Sequence, residues 1–155
     1  MGDTLPEAVC ELLDGRDPAG RMGVTVLLLT TSDEGWPQVA MLSVGEVLAV
    51  DRRHLRLALW PGSGSTGNLA RGRLATLMLV LAPDTYYVRL RARQLADLSL
   101  SSGVRACFEG DVEDVLRDVV GYATVTSGIE FRLDEPERVL PVWREALAAL
   151  AAATS

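Results

Sequence analysis

The stretch Trp60–Arg73 reads WPGSGSTGNLARGR and lies between two strand-like apolar runs. Its glycines and serines, followed by Asn-Leu-Ala-Arg, describe a strand end, a tight loop and the first turns of a short helix. The N–H groups at such a helix start have no intrahelical acceptor and carry partial positive charge, so a phosphate fits there. Ser63, Ser65 and Thr66 add hydroxyl donors, and Ser65 or Thr66 is suited to cap the helix. No Gly-Lys-Ser/Thr follows the glycines, which excludes a Walker A loop. Taken alone, the segment also describes a capped helix in a surface turn.

Working outward, His54–Trp60 alternates, with Leu55, Leu57 and Leu59 facing one way and His54, Arg56, Ala58 and Trp60 the other. Leu74–Ala82 is a continuous apolar strand. Upstream, Val24–Ser32 is a second buried strand, Asp33-Glu34-Gly35 a hairpin turn and Trp36–Val50 a long return strand with a bend at Gly45. Downstream, Tyr86 to about Leu100 is a long strand with Tyr86, Val88, Leu90 and Ala92 on one face and Tyr87, Arg89, Arg91 and Arg93 on the other. Thr4–Asp14 reads as a helix with capping-box spacing between Thr4 and Glu7. Val104–Glu109 predicts a sixth strand, Asp111–Val119 a capped amphipathic helix and Thr124–Leu133 a further strand. Pro136 starts a helical turn and a last helix restarts at Pro141, with Trp143, Ala146, Leu147 and Leu150 as its apolar stripe. Six or seven strands joined mainly by tight turns predict a mainly β fold with attached α-helices, a small antiparallel β-barrel.

The 155 residues form one domain, 1–155, with no interdomain linker and no internal repeat. The net charge of −6, from 15 basic and 21 acidic residues, argues against nucleic-acid and anionic-membrane partners but permits a small phosphorylated ligand. The first residues lack the pattern of a secretory signal, and the apolar runs are too short to span a bilayer, so a cytoplasmic protein is expected. Cys10 and Cys107 are far apart and read as free thiols. With a single histidine and no Cys/His cluster, no metal site is expected.

Three pieces together resemble the FMN-binding split-barrel family, the group that includes pyridoxamine 5′-phosphate oxidase. They are TTSDEGWPQVAMLSV at Thr30–Val44, LRLALWPGSGSTGNLARGRLATLMLV at Leu55–Val80, and the order of elements, a leading helix and a long strand after the fourth. The resemblance covers about Leu5–Leu95 and beyond Leu100 is topological only. It implies a split barrel and a homodimer with two FMN sites at the subunit interface. The flavin ring would lie along Val39, Ala40, Met41, Leu42 and Ser43, with Trp60 bordering the ring or the ribityl chain. The phosphate would sit at Ser63–Asn68, held by Ser63, Ser65, Thr66 and Asn68 with an arginine, Arg71 or Arg73 being the nearest downstream.

One departure stands out. Family members that hold FMN tightly place a Lys or Arg in or beside this loop, yet Ser63–Leu69 contains no basic residue. The expectation is therefore a flavin-binding protein, an FMN-dependent oxidoreductase acting on a small molecule, with no catalytic residue nominated because the cofactor carries the chemistry. The competing expectations are a dimeric module for haem, a deazaflavin or another ligand, and a cofactor-free interaction protein. Arg89, Arg91 and Arg93 read either as a face paired with acidic neighbours or as an anion-facing wall.

Overall fold

The apolar runs on both sides of the Gly/Ser loop become strands of one sheet. In the computed structural model, which describes residues 2–154, seven antiparallel strands follow the order β2-β1-β5-β6-β7-β4-β3. They are β1 Val26–Thr31, β2 Pro37–Leu42, β3 Val47–Ala49, β4 His54–Leu59, β5 Leu74–Leu81, β6 Asp84–Leu100 and β7 Gly103–Asp118. The helices are α1 Glu7–Leu12, α2 Gly64–Gly72 and α3 Pro136–Ala152, with a 3-10 turn at Pro18–Arg21. Strands β2 and β3 are the two edges of the sheet, yet only residues 43–46 separate them in the chain. That short link brings the edges together without pairing them, so the sheet rolls into a barrel that stays split along one seam. Val26, Leu28, Leu42, Val47, Leu57, Leu77 and Phe108, from both edges and the middle, meet in one core.

A smaller core forms outside the barrel, where Ala146, Leu147 and Leu150 of α3 pack on Leu48, Leu95, Leu98 and Cys107. Trp143 belongs to the barrel core and seals the seam. Its ring covers the Cα of Gly45, where any Cβ would overlap it. Glu109 of β7 anchors the same region. Arg56 Nε donates to it over 2.8 Å, Arg93 pairs with its other oxygen, and Arg56 also donates to the carbonyls of Leu150 and Ala151 at the end of α3. Burial opposes ionisation of Glu109, but the two guanidinium groups outweigh it and hold the carboxyl below its ordinary range. No helix among the described residues is long and apolar enough to cross a membrane.

Five expectations need correction, the first being that α3 runs unbroken from Pro136 through Pro141 rather than restarting there. Residues 111–118 are strand, not helix, and continue residues 104–109 in the 16-residue β7. A bulge sets Arg89 opposite Asp114 and Leu90 opposite Val112, so Glu113 is an extra residue. Val112 and Val115 thus both face inward at a spacing of three, which imitates helical periodicity. The long return strand breaks into β2 and β3 where Trp143 sits on Gly45 and Glu46 takes hydrogen bonds from Ser43. Residues 124–133 form an extended crossing with one isolated bridge, Val24 to Glu130, rather than a strand. Helix α1 is shorter than Thr4–Asp14 and starts after Pro6 with no side-chain cap.

Two outcomes follow. Gly45→Ala forces Trp143 out of the seam and should cost about 1–3 kcal/mol, read from the midpoint of urea unfolding. The Glu109 carboxyl titrates lower in the folded than in the unfolded chain. Its contribution is therefore complete above the ordinary carboxylate range and is lost as pH falls through the folded value. Unfolding free energy measured in urea from pH 7 down to pH 3 should decline in that acid window. Glu109→Gln should flatten the decline and cost on the order of 3 kcal/mol at neutral pH.

Candidate functional site

Ser63 ends the loop after β4 in an extended conformation and caps α2, its Oγ accepting from Thr66 N–H over 3.2 Å. Thr66 Oγ1 donates to the Trp60 carbonyl at 2.6 Å, so the Ser63 hydroxyl proton is the one left for the 2.9 Å contact between the two side chains. Both hydroxyls therefore serve the cap rather than an external ligand, and Ser63 takes the role expected of Ser65 or Thr66. Ser65 is buried and makes no side-chain hydrogen bond among the described residues. The donors left at the first turn are the Ser65 hydroxyl and the N–H groups of Gly64 and Ser65, which have no intrahelical acceptor.

Asn68 fixes where this turn points. Its buried side chain donates to Thr30 Oγ1 of β1 at 3.0 Å and to Gln38 Oε1 of β2 at 2.9 Å, and accepts from Arg71 at 2.9 Å. With Oε1 held, Gln38 turns Nε2 against Gly64, and a Cβ at position 64 would overlap that amide. Gln38 is the residue that sequence reasoning missed. The available signal was a polar side chain at an inward position of an otherwise apolar strand, between Pro37 and Val39. The result is a cradle of neutral donors, two main-chain N–H groups, the Gln38 amide and the Ser65 hydroxyl, on the positive end of a helix dipole.

The arginines do not enter the cradle. Arg71 is spent on Asn68 and on an ion pair with Asp33. Arg73 adopts a left-handed conformation at the far end of α2 and donates to the Ala92 carbonyl. Nine residues of helix, about 13 Å, separate it from Ser63. Trp60 contributes its carbonyl to the cap, but its ring turns away and stacks under the Arg105 guanidinium at 3.6 Å. Residues 39–43 do not share a face. Val39 and Met41 project outward and are exposed at 55% and 67%, whereas Ala40 and Leu42 pack inward and Ser43 is buried against Glu46.

Val39 and Met41 extend a larger apolar surface. Leu29 and Leu27 stand opposite them on β1, with Thr76 and Met78 beyond on β5. On the same outer face, a cavity of about 550 Å³ lies over β1, β5, β6 and β7 beside Arg89, Arg91, Glu113 and Asp114. Arg91 pairs with Glu113 and Arg93 with Glu109, so two arginines of the ladder are matched by acidic neighbours across the strands. Arg89 is exposed and has no ion pair among the described residues. His54 lies 2.9 Å from Asp51 and approaches Asp111 and Glu109, but Glu109 is already committed to two guanidinium groups.

At the seam, Glu46 Oε1 accepts from Ser43 N and Oγ at 3.1 and 2.9 Å. Burial pushes its carboxyl up, against those hydrogen bonds and the attraction of Arg105. Burial likewise pushes the free thiol of Cys107 up to about 11, which leaves it un-ionised at neutral pH.

No family model matches the sequence. A Bacillus subtilis protein, Uncharacterized protein YclD, is 34% identical over 143 residues, which cover 92% of this chain and 93% of that one. Among solved structures, a candidate pyridoxamine 5′-phosphate oxidase from Lactobacillus delbrueckii superposes with a TM-score of 0.59 at 19% identity, covering 74% of this chain and 95% of that one. HupZ from Group A Streptococcus gives 0.56 at 12% identity, over 73% of this chain and 98% of that one. An F420 reductase gives 0.54 at 14%, over 72% and 98%. The chain therefore belongs to the family of YclD from Bacillus subtilis and has the split-barrel fold of the pyridoxamine 5′-phosphate oxidase-like proteins.

Proposed function

We propose that this protein binds FMN as a homodimer and serves as a flavin-dependent oxidoreductase on a small molecule. The observation that carries this reading is the docking of the α2 start on β2, where Gln38 Nε2 lies against Gly64 beside the first-turn N–H groups of Gly64 and Ser65. A phosphate is the anion such a set of donors suits. The residues present fit the group in a specific sense. Position 64 has no Cβ, so the main chain and the Gln38 amide lie in contact, and the donors are neutral with the helix dipole supplying the positive potential.

Gln38, Gly64 and Ser65 would hold the phosphate, while Val39 and Met41 offer the flat apolar surface for a ring. The bound cofactor would supply hydride and electron transfer. The chain's own task is then to orient it and keep water from its ring. The exposed apolar face of β2 and β1 is what a second copy would cover, because monomers rarely leave such contiguous surface open. A deazaflavin is the second reading, and the uncharged cradle favours it only if that ligand is held mainly by its ring.

Titration of the purified protein with FMN, followed by visible absorbance, should show saturable binding at one flavin per chain. Gln38→Leu should weaken it about tenfold or more, since a hydrogen bond to a charged group contributes about 1.5–3 kcal/mol. A colourless protein that ignores added FMN refutes the reading. Met41→Glu places a charge on the outer face. Light scattering should then report a monomer, and flavin binding should fall in step, whereas Gln38→Leu should leave the dimer intact.

A further inference from the structure

A second space lies at the seam, apart from the α2 cradle and beside the Ser43–Glu46 contact. It measures about 440 Å³ and sits between the end of β2, the residues leading into β1, the extended crossing and α3. Its size falls in the range of small-molecule pockets, about 300–1,000 Å³. The walls are largely apolar, and Phe131 and Trp143 meet edge to face across part of it, centroids 6.5 Å apart and planes at 84°.

Its charge is one-sided. Glu46 and Glu130 line it, and no Arg, Lys or His does. Glu46 Oε1 is taken by Ser43, while Oε2 has no hydrogen bond among the described residues. Arg105 attracts Glu46 from the other side but forms no ion pair with it among the described residues. Its guanidinium is spent on the Trp60 ring, the carbonyls of Gly103 and Val104, and Ser102 Oγ. Thr25, more than nine-tenths buried, lines the same space, and its Oγ1 is a buried polar atom with no partner among the described residues. A buried polar atom left unmade is a standing cost that a ligand can relieve. An isolated carboxylate oxygen, an unpartnered hydroxyl and aromatic faces with no competing base together describe a site for a cation attached to a flat apolar body.

We propose that this space binds a small aromatic amine, its ring against Trp143 and Phe131 and its ammonium group taken by Glu46 with the Thr25 hydroxyl as a further acceptor. The site stands on the seam and α3 and uses none of Gln38, Gly64 and Ser65, sharing only Met41 with the face proposed for the flavin ring.

Three probes of equal shape test it. The full chain is titrated calorimetrically at neutral pH with 1-naphthylmethylamine, 1-naphthalenemethanol and 1-naphthoate. The amine should bind at least tenfold more tightly than the alcohol, and the naphthoate most weakly. Glu46→Gln keeps an acceptor for Ser43 and should bring the amine down to the level of the alcohol, with the alcohol changed less than twofold. Val139→Trp fills the space from α3 and should abolish binding of all three, with circular dichroism and the melting temperature confirming a folded barrel. The proposal is overturned if naphthoate matches the amine, if Glu46→Gln keeps the amine preference, if folded Val139→Trp still binds the probes, or if none binds. FMN added to the same samples is read separately by its absorbance, so a failure of the flavin reading leaves a different signature from a failure of this one.

Discussion

One buried amide holds the cradle in place. Asn68 is 6% exposed and spans α2, β1 and β2 with hydrogen bonds to Thr30 and Gln38, while Arg71 satisfies its carbonyl. A buried amide left unpaired costs about 1–3 kcal/mol, so any placement of α2 that breaks this arrangement is penalised. Leu69, fully buried beside it, anchors the helix but has no directional preference of its own. The apolar contact holds α2 against the barrel, and the amide decides its rotation and its depth. Only with that rotation does the first turn face β2, and only then must position 64 lack a side chain.

The distribution of cations follows from the same logic. Arginines are plentiful around the barrel, but nearly all those near the candidate site are engaged in holding it together. Arg71 completes Asn68 and pairs with Asp33, Arg73 fastens the end of α2 to β6, and Arg56 and Arg93 neutralise a buried glutamate. What remains at the start of α2 is the main chain, a helix dipole, one side-chain amide and the Ser65 hydroxyl. Such a set binds by geometry more than by charge, because neutral donors contribute about half of what charged ones do. Arg89 is the member of the β6 ladder with no carboxylate partner among the described residues, and it stands exposed on the outer face of the sheet.

Much of the barrel was legible because its strands obey simple alternation. Leu55, Leu57 and Leu59 face inward as their spacing requires, and the continuous runs at residues 24–29 and 74–82 supply strands of the sheet. The stripe Trp143, Ala146, Leu147 and Leu150 is buried as a helical period predicts. Legibility failed where a bulge changes the count. Glu113 adds one residue to β7, and the apolar positions after it fall at helical spacing although the backbone is extended. A local window contains no sign of the bulge, because its cause is the partner strand: Arg89 and Leu90 fix the register that Glu113 interrupts.

The candidate site was half legible for a related reason. The loop and helix start announce themselves through Gly, Ser and Thr, and the structure makes that start a capped helix. Which atoms stay free to meet a ligand is a property of the three-dimensional hydrogen-bond network and not of residue type. Ser63 and Thr66 look like donors in the sequence, yet each hydroxyl is consumed by the turn that it builds. Gln38 looks like an ordinary strand residue 26 positions before Gly64. It becomes a donor at the helix start only because Asn68 occupies its oxygen. The same accounting separates the two ends of β2. At the first end the groups left open are the Gly64 and Ser65 N–H, the Gln38 amide and the Ser65 hydroxyl, a set that suits an anion. At the other end Ser43 and Glu46 leave a carboxylate oxygen over, near a hydroxyl with no partner among the described residues, a set that suits the cation proposed there. One edge strand thus presents opposite polarities at its two ends, with the exposed Val39 and Met41 as the apolar span between them.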